Sequence, residues 1–288
     1  PRRRRSPRGN PSTILTIGVL AAVAYFLLPL VWILVASTKS NADLFSSFGL
    51  WFADDFSLGQ NLKDVFGFQN GIFLLWTRNT VFYAVTSAVG AAALATAAGY
   101  AFAKLRFPGS NALFATILGA IMIPLTALAI PTYLLFSKFS LTDTPWAVIL
   151  PSLVSPFGVY LMRVYAAGAI PDSLLEAARV DGASELRIFV SVALRLLAPG
   201  FVTVLLFALV ATWNNYFLPL IMLNSSELYP LTVGLAQWQA TSAAGSGSQA
   251  LFSMVITGSM VSIIPLIVVF LFLQRYWQSG LATGGVKQ

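Results

Sequence analysis

Six stretches of this chain are apolar over lengths that match the thickness of a bilayer, and that fact limits its possible folds more than any other. The first, Thr13 to Ala36, carries no charge. As a helix rising ~1.5 Å per residue it would reach about 36 Å, enough to cross a hydrocarbon core of about 30 Å. The others run from Leu74 to Ala103, from about Asn111 to Phe136, from Trp146 to about Tyr165, from about Pro199 to Leu223, and from Leu251 to Leu273. Inside hydrocarbon a segment must satisfy its own backbone polar groups, so runs of this length predict helices. Pro124 and Pro131 interrupt the third run, which a bundle tolerates where neighbours satisfy the freed carbonyls. The expectation is an all-α, polytopic membrane protein with six transmembrane helices. The composition agrees, at 57% hydrophobic and 9% charged against roughly 25% charged in a soluble domain.

The side chains present remove several classes of chemistry. There is no Cys and no His, which excludes disulfides, thiolate and imidazole catalysis, and metal sites built on either residue; no metal site is expected. The acids all lie between the apolar runs, and no Ser/Lys or Asp pair sits inside one. That disfavours an intramembrane enzyme and a proton-coupled carrier. A net charge of +7 could suggest nucleic acid, but its distribution argues for a membrane surface. With six spans both termini share a side. That side holds Arg2 to Arg5, Arg8, Lys104, Arg106, Arg163, Arg179, Arg187, Arg195, Arg275 and Lys287. The other holds only Lys39, Lys63, Arg78 and Lys138. The positive-inside rule then places the N- and C-termini in the cytoplasm. The first run lacks the short apolar core and cleavage site of a signal peptide, so it reads as a retained span. The domain reading is a basic cytoplasmic N-terminal segment (1–12), a six-span domain (13–275) and a cytoplasmic tail (276–288). Arg78 and Arg163 read as interfacial anchors.

The longest polar interruption in the second half is Pro171 to Gly200, with four of the ten acids. Ser173 followed by Glu176 has capping-box spacing and would start a short helix, and Asp181-Gly182 would stop it. A second helix would start near Ser184, with Leu186, Phe189, Val190, Ala193, Leu194 and Leu197 along one face. Glu176-Ala177-Ala178, Asp181-Gly182-Ala183, Phe189, Val192, Leu194 and Pro199 resemble the EAA loop of ABC importer permeases. The usual Pro after Leu194 is Arg195, which leaves the second helix free to run straight into the next span. Gly99-Tyr100-Ala101-Phe102-Ala103-Lys104-Leu105-Arg106-Phe107-Pro108-Gly109, Ile123-Pro124, Ile130-Pro131-Thr132-Tyr133 and the closing Gly280 to Lys287 look like the carbohydrate, maltose-type branch of that family.

The resemblance implies a type I ABC importer permease fold, with a coupling loop over 166–198, in the inner membrane of a bacterial or archaeal cell. It implies a permease for sugars, di- or oligosaccharides, moved by alternating access; the alternative is the same fold importing another solute, such as glycerol phosphate or a polyamine. Expected partners are a second permease subunit in a heterodimer, two ATPase subunits, an extracytoplasmic sugar-binding protein and the lipid bilayer, with no nucleic acid. No Walker A pattern occurs, so this chain is expected to be no enzyme and to hold no cofactor, ATP and Mg being bound by the partner ATPases. Coupling would fall to Glu176, Ala177, Ala178, Asp181, Gly182 and Ala183, with a helix-capping role for Glu176 as the plainer reading. Trp213, Asn214, Asn215 and Tyr216 offer rings and amides for a sugar, or pack the bundle around Pro219. As one helix they would put Trp213 and Tyr216 on a shared face and the two amides about 100° apart. Gly245, Ser246 and Gly247 form a loop tip that reaches a binding protein, or a plain connector. Gly284, Gly285 and Lys287 lie in a thin tail expected to touch the ATPases.

Overall fold

The apolar runs become helices, three of them interrupted, in the computed structural model, which describes residues 13–243 and 251–282. The basic N-terminal segment, the loop tip at Gly245, Ser246 and Gly247, and the tail residues Gly284, Gly285 and Lys287 lie outside the described residues. In chain order the α-helices are α1 (Thr13–Ala36), α2 (Asn41–Ser46), α3 (Leu58–Gly67), α4 (Ile72–Lys104), α5 (Ser110–Ile121), α6 (Ala129–Lys138), α7 (Trp146–Ser152), α8 (Pro156–Ala169), α9 (Asp172–Val180), α10 (Glu185–Ile188), α11 (Leu194–Trp213), α12 (Phe217–Met222), α13 (Leu231–Ala243) and α14 (Phe252–Ala282). No strand occurs among the described residues. Among the described residues five helical runs are long and apolar enough to cross a membrane, and a sixth arises if α5 and Thr126–Lys138, bent by 98° against each other, count as one span.

The fifth span differs from the sequence expectation. The fifth span starts inside the polar interruption, runs without a break from Glu185 to Trp213, and ends ten residues before Leu223. Arg195 does leave the helix continuous, through a π turn at Phe189–Ala193. After the fifth span come a short 3-10 turn (Ser226–Leu228) and α13. The region 39–71 carries the short helices α2 and α3.

The chain forms two compact units. In the first, of residues 1–67 and 238–261, the turn after α1 is the organising point. Asn61 Nδ2 donates to the carbonyls of Ser37 and Lys39 at 2.8 and 2.9 Å, and the Ser57 amide donates to Thr38 O. Lys39 is buried and its Nζ donates to Phe48 O at 2.7 Å and Ser47 Oγ at 2.9 Å. Those bonds satisfy two of its three N–H groups and one carbonyl of the turn after α2. Asn41 Oδ1 accepts from the Ser253 amide, which ties the start of α14 into the same unit.

The second unit is built on α4, α8 and α11. In lipid no hydrophobic force drives one helix onto another, so close van der Waals contact between small residues takes its place. The buried face of α4 is made that way, from Ala84, Ser87, Ala88, Ala91, Ala92, Ala95, Thr96 and Gly99. At Gly99 a Cβ would stand 2.5 Å from Met162 Cβ and 2.8 Å from the backbone nitrogen of Arg163, so α4 and α8 touch backbone to backbone there. A residue with any side chain must push the helices apart. We expect Gly99→Ala to destabilise the protein by roughly 1–3 kcal/mol, seen as a lower melting temperature of the detergent-purified protein; an unchanged temperature would show that this contact is slack.

Candidate functional site

Two places in the second unit carry functional geometry, one at the basic end of α4 and one where three spans are interrupted. At the basic end, Ile170 leaves α8 in extended conformation and Pro171 redirects the chain into α9. Lys104 Nζ, at the last residue of α4, meets Asp172 Oδ1 at 2.7 Å. That hydrogen bond and charge hold the Asp172 carboxyl below the usual carboxylate range. Gly182 sits at φ +78°, the left-handed region that glycine enters without strain. The turn it makes lets the Ala183 amide bond back to Ala178 O. Ser184 then caps α10 by accepting from the Arg187 amide, and Arg179 Nε meets Glu185 Oε1 at 2.6 Å across the turn.

This hairpin has a fixed side and an open side. Leu175 and Ile188 are buried in one core with Tyr100 of α4, Met162 and Ala166 of α8, Ile170, and Leu197 of α11. Phe189 packs on Tyr100, with ring centres 5.1 Å apart. Ala178 and Ala183 lean on the same core, whereas Glu176, Ala177, Asp181 and Gly182 are exposed. The expected apolar face does not hold as written. Leu186 and Val190 point outward, Leu186 being 73% exposed, and Ile188 takes the inward place with Ala193 and Leu197. The capping box is absent as well. The helix starts at Asp172, with Pro171 as its cap residue and no side-chain bond there. Val180, at 88% exposure, shares the open side with Leu174, Glu176 and Ala177.

The second place is a cavity of about 820 Å³, inside the roughly 300–1,000 Å³ range of small-molecule sites. Its walls come from the break between α5 and α6 (Ile123, Thr126, Thr132), the break between α7 and α8 (Ser152, Ser155), and the break between α11 and α12 (Asn214, Asn215, Tyr216). A proline flanks each break: Pro124, Pro151 and Pro156, and Pro219. Irregular backbone at membrane depth is tolerated where it lines a cavity, which is the arrangement here. Ser152, Ser155, Thr126 and Thr132 were not among the expected site residues. The recurrence of proline in three different spans was the signal that could have found them.

The Trp213–Tyr216 cluster is divided by this geometry. The helix stops at Trp213, so Trp213 and Tyr216 do not share a helical face. Trp213 is buried, at 7% exposure, and is not in the cavity wall, while Tyr216 is, at 42% exposure. Both amides reach the wall because the backbone no longer turns as a helix between them. Asn214 Nδ2 donates to Val210 O at 3.0 Å. Asn215 Oδ1 accepts from the Leu218 amide at 3.3 Å and its backbone carbonyl accepts from Thr232 Oγ1 at 2.8 Å. The side-chain oxygen of Asn214 and the side-chain nitrogen of Asn215 are thus the atoms left to meet a solute.

The cavity wall is held from the opposite end of α4. Trp76, Asn79, Thr80 and Tyr83 stand on one helical face and grip the backbone of 226–231. Trp76 Nε1 donates to Ser226 O, Asn79 Nδ2 to Glu227 O, and Tyr83 Oη to Leu228 O, at 2.7–2.9 Å. Thr80 Oγ1 accepts from the Leu231 amide at 2.8 Å. Asp143, on the loop after α6, accepts from the Ser225 hydroxyl at 2.6 Å and from the amides of Ser225 and Asn224 at 2.9 and 2.8 Å. Those bonds, the hydroxyl's first, hold its carboxyl below the usual range.

Comparison with known proteins follows the same lines. Residues 91–282 match the family described as binding-protein-dependent transport system inner membrane component. The chain is 33% identical over 279 residues to the arabinooligosaccharides transport system permease protein of Halalkalibacterium halodurans, covering 96% of each chain. It is 30% identical to the maltodextrin transport system permease protein of Bacillus subtilis, over 76% of this chain and 78% of that one. Among solved structures it resembles a chain of a bacterial ABC transporter that imports the acidic polysaccharide alginate, with a TM-score of 0.78 and 26% identity, over 94% of this chain and 100% of that one.

The Asp143 latch gives a pH test. A carboxyl whose folded-state pKa is lowered stabilises the fold fully above its unfolded value, near 3.9, and loses that contribution as pH falls through the folded value. Asp143→Asn should therefore lower the melting temperature by about 2–4 °C at neutral pH. The difference from wild type should close only as the pH is taken well below 4. A gap that persists in acid would remove the charge from the explanation.

Proposed function

This chain belongs to the family of binding-protein-dependent transport system inner membrane components, and from that membership we propose that it is the sugar-translocating permease subunit of an ATP-driven importer. It is a multi-pass inner-membrane transport protein and not an enzyme. The cargo we assign is a neutral di- or oligosaccharide. The observation that carries this is the cavity wall, whose polar groups are amides and hydroxyls, with no Asp, Glu, Lys or Arg among the lining residues. Such a wall matches the hydroxyls of a neutral sugar. It leaves the charge of a glycerol phosphate or a polyamine unpaired at membrane depth, which is costly. The named solutes of the relatives, arabinooligosaccharides and maltodextrin, fit the same reading.

In this account the basic end of α4 faces the cytoplasm, a second permease completes a heterodimer, and two ATPase subunits that bind ATP and magnesium dock below it. A binding protein delivers the sugar from outside. The open side of the α9–α10 hairpin, with Glu176, Ala177, Asp181 and Gly182, is the surface offered to the ATPases. Displacing it moves the buried core of Leu175 and Ile188, and with it α8 and α11. Because the helix is unbroken from Glu185 to Trp213, a tilt at its cytoplasmic end is carried to Asn214 and Asn215 at the cavity. That is a physical route for alternating access. Ala178 and Ala183 act from within as packing that joins hairpin to bundle.

Two measurements on reconstituted complex test this account. Glu176 is exposed and makes no hydrogen bond or ion pair within the described residues, so Glu176→Ala should fold and assemble, yet lose most of its sugar-stimulated ATPase activity and uptake. Normal uptake by that variant would remove the hairpin from coupling. At the cavity, Tyr216→Ala should slow uptake several-fold with an unchanged melting temperature, a loss of ring contact and hydrogen bond worth roughly 1–2 kcal/mol. Trp213→Ala should instead lower the melting temperature, by roughly 3–5 kcal/mol of core packing. Uptake that follows stability in both variants would make the cluster structural and leave the sugar to the partner permease.

A further inference from the structure

We propose that Arg163, seated on the ring of Phe114, binds the phosphate of an anionic membrane phospholipid. The Arg163 Cζ lies 3.9 Å from the centre of the Phe114 ring. That ring is buried and is itself fixed, stacked on Tyr160 and tilted against Phe102, whose ring also meets Phe107. The cation therefore stands on a rigid aromatic platform. A guanidinium carries five N–H donors. Among the described residues the ion pairs are Lys104–Asp172 and Arg179–Glu185, and the contact recorded for Arg163 is the ring alone. A half-buried cation in a membrane span with its donors still unspent is built to receive an acceptor from outside the chain.

Depth and surroundings identify that acceptor. Gly99 abuts the backbone of Met162 and Arg163, so Arg163 lies level with Gly99. Lys104 and the basic end of α4 are five residues further on, about 7.5 Å along the axis. An arginine side chain at that depth reaches the headgroup layer by extending toward it. Lys104 is neutralised by Asp172, whereas Arg106 is exposed in the adjoining turn and adds positive potential near an anionic leaflet. The planar fork of the guanidinium matches two phosphate oxygens at once. Tyr160 and Val164, on the same helix and exposed at 42% and 57%, offer apolar surface along which an acyl chain would lie. That last feature favours a lipid phosphate over a free one.

The test uses the full chain purified with whatever subunits accompany it, stripped of lipid in neutral detergent, and titrated with phosphatidylglycerol or phosphatidylcholine. Retained lipid is counted by native mass spectrometry and the melting temperature is read in parallel. Phosphatidylglycerol should be retained and should raise the melting temperature, and phosphatidylcholine should do neither. Arg163→Gln should weaken phosphatidylglycerol retention about tenfold, Arg163→Lys and Phe114→Leu should each weaken it in part, and Arg78→Gln, at the other end of the bundle, should leave it unchanged. Equal retention by wild type and Arg163→Gln overturns the site. Displacement of the lipid by inorganic phosphate, with the same rise in melting temperature, assigns the site to a free anion and overturns the lipid. Loss of an accompanying subunit from Arg163→Gln, with no lipid preference in the wild type, assigns the cation to a protein carboxylate and overturns it too. If Arg163→Gln fails to fold, the graded losses in Arg163→Lys and Phe114→Leu decide the matter alone.

Discussion

The contact on which the second unit depends is the near touch of α4 and α8 backbones at Gly99. Lipid tails are as apolar as the helices, so the gain from bringing helices together comes from dispersion between surfaces that fit, and fit improves as side chains shrink. The alanines and serine on the buried face of α4 give α8 and α11 a surface of small side chains to pack on. Everything with functional geometry is mounted on that trio. The α9–α10 hairpin is sunk into it through Leu175 and Ile188, and the cavity opens where α8 and α11 begin and end.

The same trio explains how a rigid frame and a soft centre coexist. Where the three helices run unbroken, small residues interlock and little can shift. Where α5 and α6, α7 and α8, and α11 and α12 part, the freed backbone is satisfied by turns and by caps such as Ser155, which accepts from the Gly158 amide at 3.1 Å. At the opposite end of α4 the row Trp76, Asn79, Thr80 and Tyr83 fixes the segment after α12 through its backbone. The interrupted region is thus clamped at both ends and open in the middle.

Much of this was legible in the sequence, and what was not has definite physical causes. The helix over Thr13 to Ala36 was readable because an uncharged apolar run of that length has one solution in a bilayer. The Asp181-Gly182 turn and the Ser184 cap were readable because each is a local device. α13 was hidden, since its stretch is polar overall and its helix begins at Leu231, whose amide is held by Thr80, more than a hundred residues away. The face drawn through Leu186 and Val190 failed because Ile188 takes the inward place instead, and the π turn at Phe189–Ala193 then shifts the helical period. The pairing of Trp213 with Tyr216 failed because the helix stops between them. Tertiary hydrogen bonds leave no short-range mark in the sequence, and a proline such as Pro219 marks a nearby break without fixing the residue at which the helix stops.

The π turn has one more consequence, for how chains of this kind can differ in length. It holds one residue more than the α-helical turn it interrupts. An insertion or deletion between Leu194 and Trp213 would turn each side chain beyond it by about 100°, carrying the asparagine pair off the cavity wall. At Phe189–Ala193 the loss of one residue would trade a wide turn for a regular one and leave both ends of the helix facing as they do. Among related chains, gaps of a single residue in this helix belong there.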